Sequence, residues 1–228
     1  MANHFCKVLS ADVSPLASSA LFSKGCSLVP PQRLEKVERL RTEEGRRLSL
    51  GAGLLLRKAL ISRGIDPSSV RVETTSLGKP YLPDYPGINF NLSHAGSRVF
   101  CVLSDLPCGC DVESLGRGSE ALVRRFYSPE EQSYCFSCKS DGGKGDGSSD
   151  AGSDAGSDAS SDAGSDTGTA ARPDEFQYRF TRVWTRKESY LKATGEGLFR
   201  PPESFSVFSL PSSVRFYEYV FFPGYHAT

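Results

Sequence analysis

Apolar side chains change their spacing several times along the chain, and each change marks an element. Phe5 to Val13 reads as a strand, and Pro31 opens a helix with Leu34, Val37 and Leu40 on one face. Thr42 is placed to cap a second helix that carries Leu48, Leu54, Leu55 and Leu60 and ends at Gly64, with Pro67 beyond. Gly51 and Gly53 inside it each cost up to ~1 kcal/mol against Ala, which predicts close packing of another backbone there. From Ile88 the period becomes two: Ile88, Phe90 and Leu92 alternate with Asn89, Asn91 and Ser93, predicting a half-buried strand. His94-Ala95-Gly96-Ser97 then turns and Arg98 to Leu103 returns as a strand, which puts His94 at a hairpin end. Cys108 to Glu113 predicts a further strand, with Cys108, Cys110 and Val112 on one face and Gly109, Asp111 and Glu113 on the other. Phe176 to Thr194 is helical and stops at Gly195 and Gly197, after which Phe205 to Tyr225 reads as short aromatic strands alternating with turns.

One segment breaks this pattern. Between Ser149 and Gly168 a Ser-Asp-Ala-Gly-like tetrad runs five times with no residue larger than Asp or Thr, so nothing there can bury apolar surface to offset the cost of ordering the chain. A flexible loop is expected, and calcium is not, because the repeat has no bidentate Glu. The tract changes the charge picture as well. The chain of 228 residues has 27 acids and 27 bases, but without residues 140–173 it has an excess of five bases, too few to argue for nucleic acid and suited to an anionic ligand. No apolar run approaches the ~18 residues that cross a bilayer. The first 31 residues lack a basic start followed by an apolar segment, so the cytoplasm is the expected compartment.

Seven cysteines, an odd number without a secretion signal, speak against a disulfide framework. Cys108, Cys110, Cys135 and Cys138 could be drawn as a four-thiolate zinc site, but their spacing lacks a knuckle-like turn, and small buried thiols are expected instead.

Two constellations could carry chemistry. Asp111 and Glu113 share a strand face, and two carboxylates so close repel unless a cation sits between them; oxygen ligands with no His nearby favour Mg²⁺. Trp184, Glu188 and Lys192 fall on one helical stripe. Singly these have plainer readings, a solvated acidic pair at a strand end and a surface Glu–Lys pair beside a packed Trp.

Their order along the chain is more specific: Gly78-Lys79-Pro80, then Asn89-Phe90-Asn91-Leu92-Ser93-His94, then Gly109-Cys110-Asp111-Val112-Glu113, then Trp184-x-x-Lys187-Glu188-x-x-x-Lys192-x-x-Gly195. From Val8 to Tyr225 this resembles the 4′-phosphopantetheinyl transferases of the large type that activates surfactin synthetase. The resemblance implies an α+β fold of two similar α/β halves related by a pseudo-twofold axis, here residues 1–104 and 105–228, with the low-complexity insertion at 140–173 in the second. The helices around Arg47 to Arg63 and Phe176 to Thr194 would be the equivalent elements.

It also implies roles. Asp111, Glu113 and Glu188 match the Mg²⁺ ligands, and Lys192 matches the lysine that reaches the attacked phosphate. Ser93 and His94 match the holders of the ribose 3′-phosphate, Arg33 and Lys36 match basic side chains near it, and Lys79 and Pro80 match positions lining the adenine. The implied reaction moves the phosphopantetheine arm of coenzyme A to a serine of an apo acyl or peptidyl carrier protein, releasing adenosine 3′,5′-bisphosphate, with Glu188 as the candidate base. A monomer is expected, acting on neither membranes nor nucleic acid, and Leu115 to Tyr127 is expected to touch the carrier. Two alternatives stand beside this reading: another two-carboxylate Mg²⁺-dependent phosphoryl enzyme, and a coenzyme A or carrier-protein binding module without catalysis.

Overall fold

In a computed structural model, residues 4–139, 174–219 and 224–228 are described. The low-complexity tract and its expected flexibility lie outside these residues. The fold is mixed α and β. Strand β1 (Cys6–Asp12) is followed by a short helix α1 (Ser19–Cys26), then α2 (Pro31–Arg39) and the long α3 (Glu43–Ile61). Pro31 starts α2 where its missing N–H has no partner to lose, and the Thr42 hydroxyl accepts from Gly45 N at 3.1 Å to cap α3, both as predicted.

A two-stranded ribbon, β2 (Glu73–Thr74) and β3 (Pro80–Tyr81), leads into β4 (Asn89–Ala95) and β5 (Arg98–Ser104). With β1 these form an antiparallel sheet in the order β1-β5-β4. The first half of the hydrophobic core follows from strand alternation. Val99, Cys101 and Leu103 of β5, with Phe90 of β4, pack under Leu48, Ala52, Leu55, Leu56 and Leu60 of α3. The intervening Phe100 and Val102 face the other way and meet Cys110, Val112 and Ala227.

That second layer is the reason one sequence expectation changes. The β4 strand is buried on both faces, not one, because Asn91 and Ser93 share the Phe100 and Val102 side and are covered by the later part of the chain. His94 is within β4, paired with Val99, and the turn falls at Gly96 and Ser97. The strand expected from Cys108 is regular only over β6 (Val112–Ser114), although Asp111 exchanges both backbone hydrogen bonds with Thr228 at 2.8 and 2.9 Å.

Helices α4 (Glu120–Phe126) and α5 (Pro129–Phe136) precede α6 (Glu175–Thr194), and β7 (Tyr225–Ala227) pairs antiparallel with β6. Gly195 ends α6 in the left-handed conformation, φ 77°, which a glycine adopts without steric cost. The expected aromatic strands after Phe205 are absent among the described residues up to an isolated bridge at Tyr219. Phe205 and Val207 are used instead as plugs against Val123, Tyr127 and Val183. Cys108 and Cys110 belong to the cluster beside the sheet and Cys135 and Cys138 to the cluster around α6, and burial pushes the thiols of Cys108 and Cys135 up to about 12. No helix among the described residues is long and apolar enough to cross a membrane.

Candidate functional site

A cleft of about 650 Å³ opens between α2, α3, the ribbon turn, β4 and the end of α6. Arg33 and Lys36 of α2, Arg57 of α3, Lys79 before β3, His94 of β4 and Lys192 of α6 line it, together with Pro80, and none of its lining residues is acidic. Six of the seven sequence-predicted coenzyme-binding residues therefore meet here, from parts of the chain up to 159 positions apart. Among the described residues no carboxylate compensates Arg33 or Lys36: burial pulls both below their ordinary values, and Arg33 lowers Lys36 further. Burial likewise holds the His94 imidazole down, with Lys192 and Lys36 adding to the effect. Uncompensated cations with a desolvation cost are what an anion relieves on binding.

Two contributors were missed from sequence. Arg57 and Ser49 line the same cleft, and the Ser49 hydroxyl is buried without a hydrogen-bond partner. Their only signal was position: Ser49, Gly53 and Arg57 repeat at i, i+4 and i+8 on one face of α3. The expectation that Gly51 and Gly53 admit another backbone is also corrected. Side chains fill both places, Val13 against Gly51 and the Arg33 stem against Gly53, where an added Cβ would lie 2.8 Å from Arg33 Cγ. Gly53→Ala should therefore weaken the binding of an anion such as inorganic pyrophosphate to this cleft by about ten-fold, from displacement of one charged contact. It should leave Tm unchanged or raised, since Ala adds up to ~1 kcal/mol of helix propensity. Calorimetric titration beside a melting curve checks this, and unchanged affinity would count against Arg33 as a ligand.

At the α6 end of the cleft lies a carboxylate group. Asp111, 3% exposed, accepts from Lys192 Nζ at 2.5 Å and from Ser93 Oγ at 2.8 Å, both on Oδ1. Its Oδ2 is buried and has no partner. Burial pushes the Asp111 carboxyl up, with Lys192 and Ser93 pulling it back. Glu113 and Glu188 are half-buried, and each is raised first by burial and then by the charge of Asp111. Burial draws the Lys192 ammonium down, but Asp111 outweighs it and holds the group above its ordinary value.

The three predicted metal ligands are thus electrostatic neighbours. No group of three His, Cys, Asp or Glu side chains among the described residues is close enough to hold a metal ion, and the cation bonded to Asp111 is the Lys192 ammonium. The residues nonetheless fit a hard divalent ion: all donors are oxygens, their charges are mutually destabilising, and Asp111 keeps an unpartnered buried oxygen. Ser93 is the one predicted coenzyme contact not on the cleft. It is 6% exposed and lies on the opposite face of β4 from Phe90.

The carrier of Glu188 and Lys192 is held from several sides. Lys187, next to Glu188, is 1% exposed and pairs with the fully buried Glu131 at 2.7 Å. Its remaining donors go to the carbonyls of Pro202 and Phe205, each at 2.7 Å, while Glu131 also accepts from the N–H groups of Ser128 and Val207. Lys79 Nζ donates to the Ala193 carbonyl at 2.5 Å, tying the ribbon turn to the end of α6.

These features, a basic cleft ending on clustered carboxylates at the seam between a helix-covered sheet and a second helical unit, agree with two family matches. The family described as 4′-phosphopantetheinyl transferase, N-terminal, matches residues 15–105, and the 4′-phosphopantetheinyl transferase superfamily matches residues 161–223. The chain belongs to the 4′-phosphopantetheinyl transferase superfamily. Its relatives include the 4′-phosphopantetheinyl transferase Sfp of Bacillus subtilis (strain 168), 31% identical over 183 residues, which are 79% of this chain and 66% of that protein. Another 4′-phosphopantetheinyl transferase of Bacillus subtilis is 29% identical over 180 residues, 78% of this chain and 66% of the relative. The 4′-phosphopantetheinyl transferase HetI of Nostoc sp. (strain PCC 7120 / SAG 25.82 / UTEX 2576) is 30% identical over 168 residues, 71% and 56% respectively. The chain spans less than two thirds of the length of these relatives.

Proposed function

We propose that the protein transfers the 4′-phosphopantetheine arm of coenzyme A to a serine hydroxyl of an apo carrier protein and releases adenosine 3′,5′-bisphosphate. The observation that carries this reading is the cleft itself: five cations and a histidine line it without an acidic residue, and one of those cations, Lys192, bonds Asp111 just beyond the lining. Coenzyme A has the matching shape of charge, a 3′-phosphate at one end and a pyrophosphate further along. Arg33, Lys36 and His94 would receive the 3′-phosphate, and Lys79 and Pro80 would flank the adenine. Lys192 would reach the phosphate that is attacked, where a fixed ammonium stabilises the charge that develops. Mg²⁺, held by Asp111, Glu113 and Glu188, would neutralise the pyrophosphate.

The carrier serine oxygen forms a bond to the phosphorus that bears the pantetheine, and the bond from that phosphorus to the bridging oxygen breaks. Glu188 would take the serine proton. We further read α3 on its three-stranded sheet and α6 on β6 and β7 as the two related halves, divided near residue 104.

The decisive test is incubation with coenzyme A, Mg²⁺ and several apo carriers, followed by mass spectrometry. A carrier heavier by one phosphopantetheine is expected. Tight coenzyme A binding with an unshifted carrier would instead establish a binding module, and hydrolysis of nucleotides with no transfer another phosphoryl enzyme.

The site charges set a pH dependence. Asp111, Glu113 and Glu188 all hold protons more tightly folded than unfolded, so the protein without cation loses stability as pH rises from the unfolded carboxylate range through the raised folded values. Added Mg²⁺ should therefore raise Tm more at about pH 7.5 than at about pH 5, where protons compete for the same oxygens. Equal shifts at both would remove these carboxylates from the metal site.

The carrier surface expected over Leu115 to Tyr127 needs revision in its apolar part. Val123 and Tyr127 are buried, and Leu122 and Phe126 pack onto the same cluster, so these are core. Arg117, Arg124 and Arg125 stay exposed, Arg124 over the Phe136 ring and Arg125 over that of Phe126. Reversing Arg124 and Arg125 to Glu should raise KM for an acidic carrier by about ten-fold and leave coenzyme A affinity alone, as charges on an interface rim act on encounter. A change confined to coenzyme A would refute that role.

A further inference from the structure

We propose, on the reading above, that Ser93 and Asn91 are positioning residues that hold Asp111, and that the Ser93 hydroxyl does not bind the 3′-phosphate. A serine hydroxyl has one hydrogen to give and two lone pairs to receive. The Ser93 hydrogen is given to Asp111 Oδ1 at 2.8 Å. Its lone pairs take the Val112 N–H and a Lys192 Nζ–H, each at 3.3 Å. A phosphate oxygen needs a donor, and this hydroxyl has none left. His94, the next residue, points the other way along the pleat and lines the cleft.

Asn91 completes the arrangement. Its Oδ1 accepts the Cys110 N–H at 3.0 Å, two residues before the Val112 N–H taken by Ser93. The i, i+2 spacing on β4 thus matches the i, i+2 spacing of the N–H groups on either side of Asp111. Two side chains stand in for a neighbouring strand at β4, the edge of the sheet, whose one strand partner is β5. The backbone between them is fixed, and with it the direction of the Asp111 carboxylate, whose free Oδ2 remains available.

The test separates the two roles by the ligand. In EDTA, calorimetry gives the affinities of wild type, Ser93→Ala and His94→Ala for coenzyme A and for 3′-dephospho-coenzyme A. Ser93→Ala should keep the wild-type ratio of the two affinities within about two-fold, while His94→Ala should reduce it by about ten-fold. Mn²⁺ binding, followed by electron paramagnetic resonance, should weaken by about ten-fold or more in Ser93→Ala and in Asn91→Ala, and Ser93→Thr should restore it by keeping the hydroxyl. A ratio that collapses in Ser93→Ala, or Mn²⁺ affinity that does not change, would overturn the inference. Asn91→Ala and Ser93→Thr carry the same decision if Ser93→Ala does not fold. A wild-type protein indifferent to the 3′-phosphate would overturn the cleft reading instead, and the Mn²⁺ measurement would then decide this inference alone.

Discussion

Replacing Lys187 by Met, with Glu131 retained, should lower stability by about 3 to 5 kcal/mol, the largest loss expected from any single change in α6. Glu131 is fully buried, and without the ammonium at 2.7 Å its charge has only the N–H groups of Ser128 and Val207 to rest on. The carbonyls of Pro202 and Phe205 lose their donor at the same time, leaving further unmet buried acceptors. Changing both partners, Lys187→Met with Glu131→Leu, should recover much of the loss, because a buried ion pair stabilises little beyond a well-packed apolar pair. The neighbouring Glu188→Gln should behave oppositely: carboxylates that repel each other are relieved, so Tm holds or rises while transfer is lost. Denaturant melts of the three variants check this. A double variant as unstable as Lys187→Met alone would show that the pair contributes more than mutual neutralisation.

Gly109→Ala should be the second severe change, with a stability loss of about 3 kcal/mol from overpacking and a fall in kcat of about 100-fold in whatever still folds. An added Cβ would lie 2.0 Å from the Ser189 carbonyl oxygen and 2.5 Å from the Ala193 N, so α6 would have to move away from the segment that carries Asp111. Both atoms are backbone and cannot rotate aside. Glu188 and Lys192 travel with the helix, and the 2.5 Å contact from Lys192 to Asp111 would be among the first lost. Coenzyme A affinity should fall less than kcat, since Arg33 and Lys36 are carried by α2 and His94 by β4, not by α6. A variant with normal kcat would mean that the close approach does not govern the site.

Three of the six helices described, α2, α3 and α6, and the main sheet could be read from local pattern. Thr42, Pro31 and Gly195 stood at the ends of their helices, and the alternation of β4 and β5 followed from their composition, because capping and strand period depend on residues within one or two turns. Reading failed where a second layer of chain intervened. Asn91 and Ser93 looked like a solvated face and are buried, and Leu122 and Phe126 looked like a docking face and belong to the core. Phe205, Val207 and Phe216 lie in a segment of strand-like composition, yet they pack as separate plugs in the cluster around α6.

The sequence by itself singled out the residues that we propose carry the chemistry, since the ordered motifs at Lys79, His94, Asp111 and Lys192 name charge and spacing directly, and six of the predicted coenzyme contacts do line one cleft. Only the tertiary structure decided how those charges are spent on one another: that Lys192 bonds Asp111 across 81 positions, that Ser93 gives its hydrogen to Asp111, and that Lys187, one residue from Glu188, turns inward to Glu131. The physical reason is that a hydrogen bond or ion pair is fixed by the rotation and depth at which two elements meet. Those depend on packing between distant segments, to which local periodicity is blind.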